Sequence, residues 1–173
     1  MREQSFRIRT GAARKRAAIL VLAVAITVLT AAVIWFYLYE PPYQPPPFES
    51  EAVQGIPDPP QNMGYGQIDA LGKFTFGIIG VMYRQKDGSL KLYLTNHEEN
   101  EAYLMCEVID IENKKILYRS GLLKPGEYVE SLYPLKKMKN EAIQIEVNVY
   151  ALDLESYISL GSVTLDNLLQ PFS

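Results

Sequence analysis

Hydrophobic and polar positions divide the chain into three regimes. From Ala17 to Tyr39 the run AAILVLAVAITVLTAAVIWFYLY holds no charged residue. As a helix of 23 residues it rises about 35 Å at 1.5 Å per residue, enough for a hydrocarbon core of about 30 Å. A helix suits that medium because it satisfies its own backbone hydrogen bonds. Residues 40–72 follow, with Pro41, Pro42, Pro45, Pro46, Pro47, Pro57, Pro59 and Pro60. This spacing predicts an extended, semi-rigid linker reaching on the order of 100 Å. Gly55, Gly64, Gly66 and Gly72 shorten it, and Tyr43, Phe48, Met63 and Tyr65 leave open that part of it docks on the domain or on a partner.

The third regime, residues 73–173, alternates with a period of two. Leu90, Leu92 and Leu94 alternate with Lys91, Tyr93 and Thr95, and Ile143, Ile145, Val147 and Val149 with Gln144, Glu146, Asn148 and Tyr150. Such alternation predicts half-buried strands. Further strands are expected over 74–84 with a bulge or break at Gly77 and Gly80, over 102–110, 115–120 and 127–133, and over 157–166 broken near Gly161. Turn signals separate them: Lys86-Asp87-Gly88-Ser89, Glu112-Asn113-Lys114, and Lys124-Pro125-Gly126-Glu127 with the type II pattern. Leu135 to Glu141 reads as a basic loop. Seven strands over about 100 residues predict an all-β, seven-stranded antiparallel immunoglobulin-like sandwich, with a small barrel as the alternative. The expected organisation is a basic tail (1–16), a transmembrane helix (17–39), a Pro-rich extracellular linker (40–72) and a β-sandwich ectodomain (73–173).

Charge sets the direction. Arg2, Arg7, Arg9, Arg14, Lys15 and Arg16 against Glu3 give the first 16 residues +5, and the rest of the chain carries −8. Cationic flanks stay on the cytoplasmic side, which predicts a single-pass plasma-membrane protein with its N-terminus inside and its C-terminal domain outside. The apolar run is longer than a signal-peptide h-region and ends in Trp35, Phe36, Tyr37, Leu38 and Tyr39 rather than a small-residue cleavage site. It therefore reads as an uncleaved signal-anchor with an interfacial aromatic belt. The acidic outer domain carries no basic stripe, so no nucleic-acid partner is expected.

Little in the chain suggests catalysis. His97 is the only histidine and Cys106 the only cysteine. Cys106 reads as a small buried hydrophobe and His97 as a solvated loop residue. No phosphate-binding glycine loop, nucleophile elbow or zinc-protease motif occurs. Asn96, Glu98, Glu99 and Glu101 offer oxygen ligands for calcium without EF-hand spacing. No enzyme activity, cofactor or metal is expected. Tyr93, Tyr103, Tyr128 and Tyr150 occupy strand positions and form the candidate interaction surface. Ordinary cross-strand pairing is the plainer role for them.

The segments LYLTNHEEN (92–100) and ILYRSGLLKPGEYVES (116–131) resemble small, signal-anchored, single-pass surface proteins of Gram-positive bacteria, over roughly residues 78–165. The resemblance implies a compact β-sandwich ectodomain and identifies no active site. The expected function is non-catalytic: an interaction subunit of a membrane or cell-envelope complex or, alternatively, a surface module for a cell-wall glycan or other extracellular ligand. The expected partners are the lipid bilayer and an envelope protein or wall glycan.

Overall fold

The structure is a computed structural model that describes residues 2–39 and 43–171. It divides into two compact units, 1–44 and 45–173.

The first unit is one α-helix, α1 (Arg2–Leu38). Its stretch Lys15–Leu38 is long and apolar enough to cross a membrane, with mean hydropathy 2.8. Thr27 and Thr30 turn their hydroxyls back onto the carbonyls of Ala23 and Ile26, at 2.9 and 2.8 Å. No polar side-chain hydrogen therefore faces the apolar medium unpaired at these two positions. Trp35 and Tyr39 stack at 5.7 Å near the helix end. The helix begins well before the apolar run, so the basic tail is helical rather than a separate unstructured piece. Its Arg, Lys, Ala, Glu and Gln residues are strong helix formers that continue the turn nucleated by the apolar stretch.

The second unit is all-β. Its strands are β1 (Val53–Gln54), β2 (Tyr65–Asp69), β3 (Thr75–Ile79), β4 (Leu90–Asn96), β5 (Ala102–Asp110), β6 (Lys115–Arg119), β7 (Glu127–Leu132), β8 (Ile143–Asp153) and β9 (Ser159–Leu169). They form two antiparallel sheets, ordered β1-β7-β4-β3-β2 and β6-β5-β8-β9. Chain connections switch sheets after β4, β6 and β7, while β2–β3, β5–β6 and β8–β9 are hairpins. Leu104, Cys106 and Val108 of β5 and Ile145, Val147 and Val149 of β8 are fully buried, as are Phe76, Leu92 and Leu94 from the other sheet. Each such side chain contributes about 1.5–3 kcal/mol on burial. The alternation that marked these strands is the face they share.

Nine strands stand where seven were expected, and the two extra ones come from the segment read as linker. Residues 40–42 lie outside the described residues. From Pro45 onward the chain packs on the β unit. Phe48 bridges to Leu122, β1 pairs with β7, a 3₁₀ turn forms over Gln61–Met63, and β2 pairs with β3 along its whole length. Proline density suggested a free spacer. Met63 is 5% exposed, and Tyr65 and Ile68 pack half-buried against the core, so burial of these apolar residues decides otherwise. Gly64 supplies the left-handed backbone (φ 64°) that ends the 3₁₀ turn and starts β2.

Two strands depart from simple alternation. β4 is buried on both faces because its ladder with β7 shifts between Lys91 and Leu94, where Tyr93 takes φ 51°. β9 shifts against β8 beside Gly161, the break expected there. The Lys124–Glu127 turn closes with Glu127 N–H donating to Lys124 O at 3.0 Å and Gly126 at φ 78°, as its sequence predicts.

Candidate functional site

The four tyrosines do not share one face. Tyr93 and Tyr128 lie in one sheet, Tyr103 and Tyr150 in the other. Tyr93 is 7% exposed, under the Lys91 ammonium at 5.3 Å. Tyr128 stands beside Val53 and Thr95 in register. Tyr103 and Tyr150 are diagonal neighbours, opposite Leu152 and Met105 respectively. Tyr103 is already covered, stacking on Tyr157 at 5.6 Å and meeting Phe48 edge-on at 5.2 Å. Lys124 Nζ sits over that Phe48 ring at 5.0 Å. The chain's own segment around Phe48 thus covers Tyr103, one of the four candidate residues.

The segment is held as a strap. Leu122 N–H donates to Pro47 O at 2.9 Å, and Glu49 N–H donates to Leu122 O at 3.0 Å. Gly121 N–H donates to the Glu49 carboxylate at 2.7 Å. Beneath the strap Met105, Leu122 and Leu152 form a small second core on the outer side of the sheet.

The loop around His97 is built round buried asparagines. Asn96 is fully buried and donates to Ala102 O and Leu123 O, both at 2.9 Å. Asn100 donates to Asn96 Oδ1 at 2.6 Å and clasps both backbone groups of Thr75. Asn96 is therefore spent on structure and is no calcium ligand. Among the described residues no group of three or more His, Cys, Asp or Glu is arranged to hold a metal. Cys106 is fully buried, and burial pushes its thiol up to about 12. It stays protonated and receives no base, which removes it as a nucleophile.

An open groove of about 1180 Å³ lies elsewhere, beside the β3–β4 hairpin. Tyr83, Arg84, Lys86, Asp87, Lys91, Ser131 and Tyr133 are among its lining. The hairpin is rigid at its tip. Gln85 N–H donates to Ser89 O at 2.7 Å, Gly88 takes φ 89°, and the Asp87 carboxylate accepts from Ser89 N–H and Oγ–H at 2.9 and 2.7 Å. Those bonds from Ser89 hold the Asp87 carboxyl below its ordinary range. Tyr118, fully buried, donates its hydroxyl to Gly88 O at 3.0 Å. Burial pushes that phenol up to about 12, so the donor persists at physiological pH.

The basic loop 133–141 is bound to this hairpin. Leu135 N–H donates to Leu117 O at 2.9 Å, Pro134 bridges to Tyr118, and Met138 packs half-buried on the core. Arg84 is 3% exposed, and its guanidinium donates to Lys139 O and Glu141 O. Its Nε finds no partner among the described residues, and it forms no ion pair there. A buried guanidinium held only by neutral carbonyls leaves its positive charge uncompensated beneath the groove. Segments 84–91 and 130–141 together carry six Lys or Arg against three Asp or Glu, while the rest of 40–173 carries five against sixteen. In space, the fold brings two separated basic segments together.

No protein family model, curated protein or solved structure matches the chain.

Proposed function

We propose that the chain is a non-catalytic, membrane-anchored envelope protein, of the kind found on Gram-positive surfaces, whose β unit binds a ligand or partner outside the membrane. The cationic residues before the apolar run support a cytoplasmic N-terminus. Pairing of β4 with β7 in one sheet and β5 with β8 in the other, with repeated sheet switching, supports an immunoglobulin-like sandwich.

Binding can serve a membrane complex or a surface module. The observation that carries the choice is the open basic groove with Tyr83 and Tyr133 on its walls. It is wider and more polar than an enclosed small-molecule pocket, and it favours the surface module. The complex reading keeps the half-buried Tyr128 and Tyr150 as its contact residues.

A photo-crosslinking amino acid at position 133 of the full-length chain, expressed in cells, tests the reading. Crosslinks to wall polymer or another extracytoplasmic ligand are expected. Crosslinks to one defined membrane protein move the assignment to the complex subunit. Crosslinks to cytoplasmic proteins overturn the topology and the function together.

A further inference from the structure

β9 leaves one of its edges bare. Gln170, just past its end, donates its N–H to Met82 O at 3.1 Å and accepts from Arg84 N–H at 3.2 Å, so its backbone groups point away from β8. Backbone direction alternates along a strand, which turns those of Asp166, Thr164 and Ser162 the same way. The β8 side agrees. Gln144 O accepts from Ile111 N–H at 3.1 Å, on the β5 side, so Ile145, Val147 and Val149 are the residues of β8 that bond to β9, at Asn167, Leu165 and Val163. At one end the bare stretch closes where Leu168 N–H bonds to Asn167 Oδ1 and Asn167 Nδ2 to Gly80 O. The bulge at Gly161 closes the other.

The remaining edges are short or covered. β1 has two residues and β2 five, and at β6 Leu135 N–H donates to Leu117 O at 2.9 Å. Exposed edges are ordinarily blunted by lysine, proline or inward-pointing charge. β9 runs SLGSVTLDNLL, with Asp166 as its one charged residue.

The side chains of this edge are arranged symmetrically about Thr164. Val163 and Leu165 flank it on the core side, and each stays half-buried because no further strand covers it. On the outer face Ser162 and Asp166 come next, then Leu160 and Leu168, which are 45% and 38% exposed. An antiparallel copy centred on Thr164 sets Val163 against Leu165, the Ser162 hydroxyl against the Asp166 carboxylate and Leu160 against Leu168, each twice. A centre at Asp166 would instead set like charges opposite each other. Ile158 and Val81, both exposed, lie beside Leu160 and Leu168 respectively and extend the same apolar contacts. Tyr157 folds onto Tyr103 at 5.6 Å and draws the β8–β9 turn over β5, clear of an incoming strand. A patch that complements itself makes a two-fold interface, which closes with two copies and leaves no long edge open. Anchoring in one bilayer raises the local concentration of the two chains.

We propose that the β9 edge is a self-association surface, at which two copies of the chain pair antiparallel across Thr164 and join their four-stranded sheets into one. Ser162, Thr164 and Asp166 supply the exchanged backbone hydrogen bonds, and the leucines cover the ends. The pairing is independent of which ligand or partner the β unit takes.

The test uses the full-length chain in phosphatidylcholine vesicles at high dilution in lipid. Photobleaching of an N-terminal fluorophore should show two steps per particle. Thr164→Cys should form a disulfide with its copy under mild oxidation, because hydrogen-bonded antiparallel partners stand about 5.5 Å apart at Cα. Ser162→Cys alone should not, since the two copies of position 162 are offset by about 13 Å along the strands. A mixture of Ser162→Cys and Asp166→Cys chains should crosslink. The wild type, whose Cys106 is buried, is the blank. Thr164→Glu adds like charge at the two-fold axis and should weaken the dimer about tenfold, and Thr164→Pro, which removes an N–H that β8 does not use, should do the same. An unchanged circular dichroism spectrum verifies folding of each variant. Single-step bleaching of the wild type overturns the proposal, as does disulfide formation by Ser162→Cys alone. A dimer that persists at full strength in both Thr164 variants places the association elsewhere, on the helix or another face, and overturns it too. So does crosslinking of position 164 in cells to a different protein in place of a second copy.

Discussion

Substitution of Gly121 by alanine should release the strap without unfolding the sandwich. A Cβ at this position would lie 2.5 Å from Glu49 N, 2.6 Å from Glu49 Cα and 2.7 Å from Phe48 C. Contacts at optimal separation are about 3.5–4.0 Å between carbons, and these neighbours are backbone that cannot rotate away. The strap must therefore move off. With it go the bonds from Leu122 to Pro47, from Glu49 to Leu122 and from Gly121 to the Glu49 carboxylate. At about 1 kcal/mol each these sum to about 3 kcal/mol. Leu122 N–H has its bond only to Pro47 O, so hydrogen exchange at this amide reports the strap directly. Its exchange, with that of Glu49 N–H, should accelerate about 100-fold in the Gly121→Ala variant. Amides in the β5–β8 ladder, such as those of Glu107 and Asn148, should keep their rates. If Leu122 exchanges at the wild-type rate in the variant, the close approach of backbone to Gly121 is not what seats the strap. If the ladder amides accelerate equally, the strap is no separate element but part of the cooperative core.

Asn96→Ala should cost about 3 kcal/mol in denaturant unfolding, because the Ala102 carbonyl loses its Asn96 donor, the Leu123 carbonyl is left with Leu104 N–H alone, and Asn100 loses one acceptor. An equally stable variant would show the network to be dispensable. Cys106 should resist a maleimide at mildly alkaline pH in the folded chain and react fully once denaturant is added, since burial keeps it a protonated thiol; native-state labelling at the rate of a free thiol would contradict this. The Asp87 carboxyl is depressed by its bonds from Ser89, so the stabilisation it gives the hairpin is complete above about pH 4, its unfolded value. That contribution should fall away as pH drops through the lower folded value, seen as faster exchange of Ser89 N–H in wild type. An Asp87→Asn variant should show a flatter profile, and identical profiles would remove Asp87 as the cause.

Much of the architecture was legible in the chain. The apolar run marked α1, and the period-two pattern marked β5 and β8, because a strand buried on one face must alternate. The type II turn at Lys124–Glu127 and the break at Gly161 followed from local backbone preferences that no distant contact needed to supply. Docking of the segment 45–69 stayed an open alternative in the sequence because proline content reports local stiffness and says nothing of where Phe48, Met63 and Tyr65 find their partners. Those partners, Tyr103, Leu122 and the ends of β3, lie tens of residues away. Tyr93 was placed facing outward because alternation assumes an unbroken ladder, and the shift at Lys91 to Leu94 breaks it.

The candidate site shows the same division more sharply. The sequence by itself determined the apolar helix, its flanking charge, most of the strands and a chain with one histidine and one cysteine. It displayed the basic loop 135–141 and the hairpin 86–89 as separate surface features. Only the tertiary structure decided that Arg84 leaves the hairpin, enters the interior and holds the loop's carbonyls, which brings the two basic segments side by side. It also decided that the strap covers Tyr103. Alternation and turn chemistry act over a few residues and are written locally. Charge clustering and the covering of a face depend on which strands become neighbours, and that is set by burial across the whole sandwich.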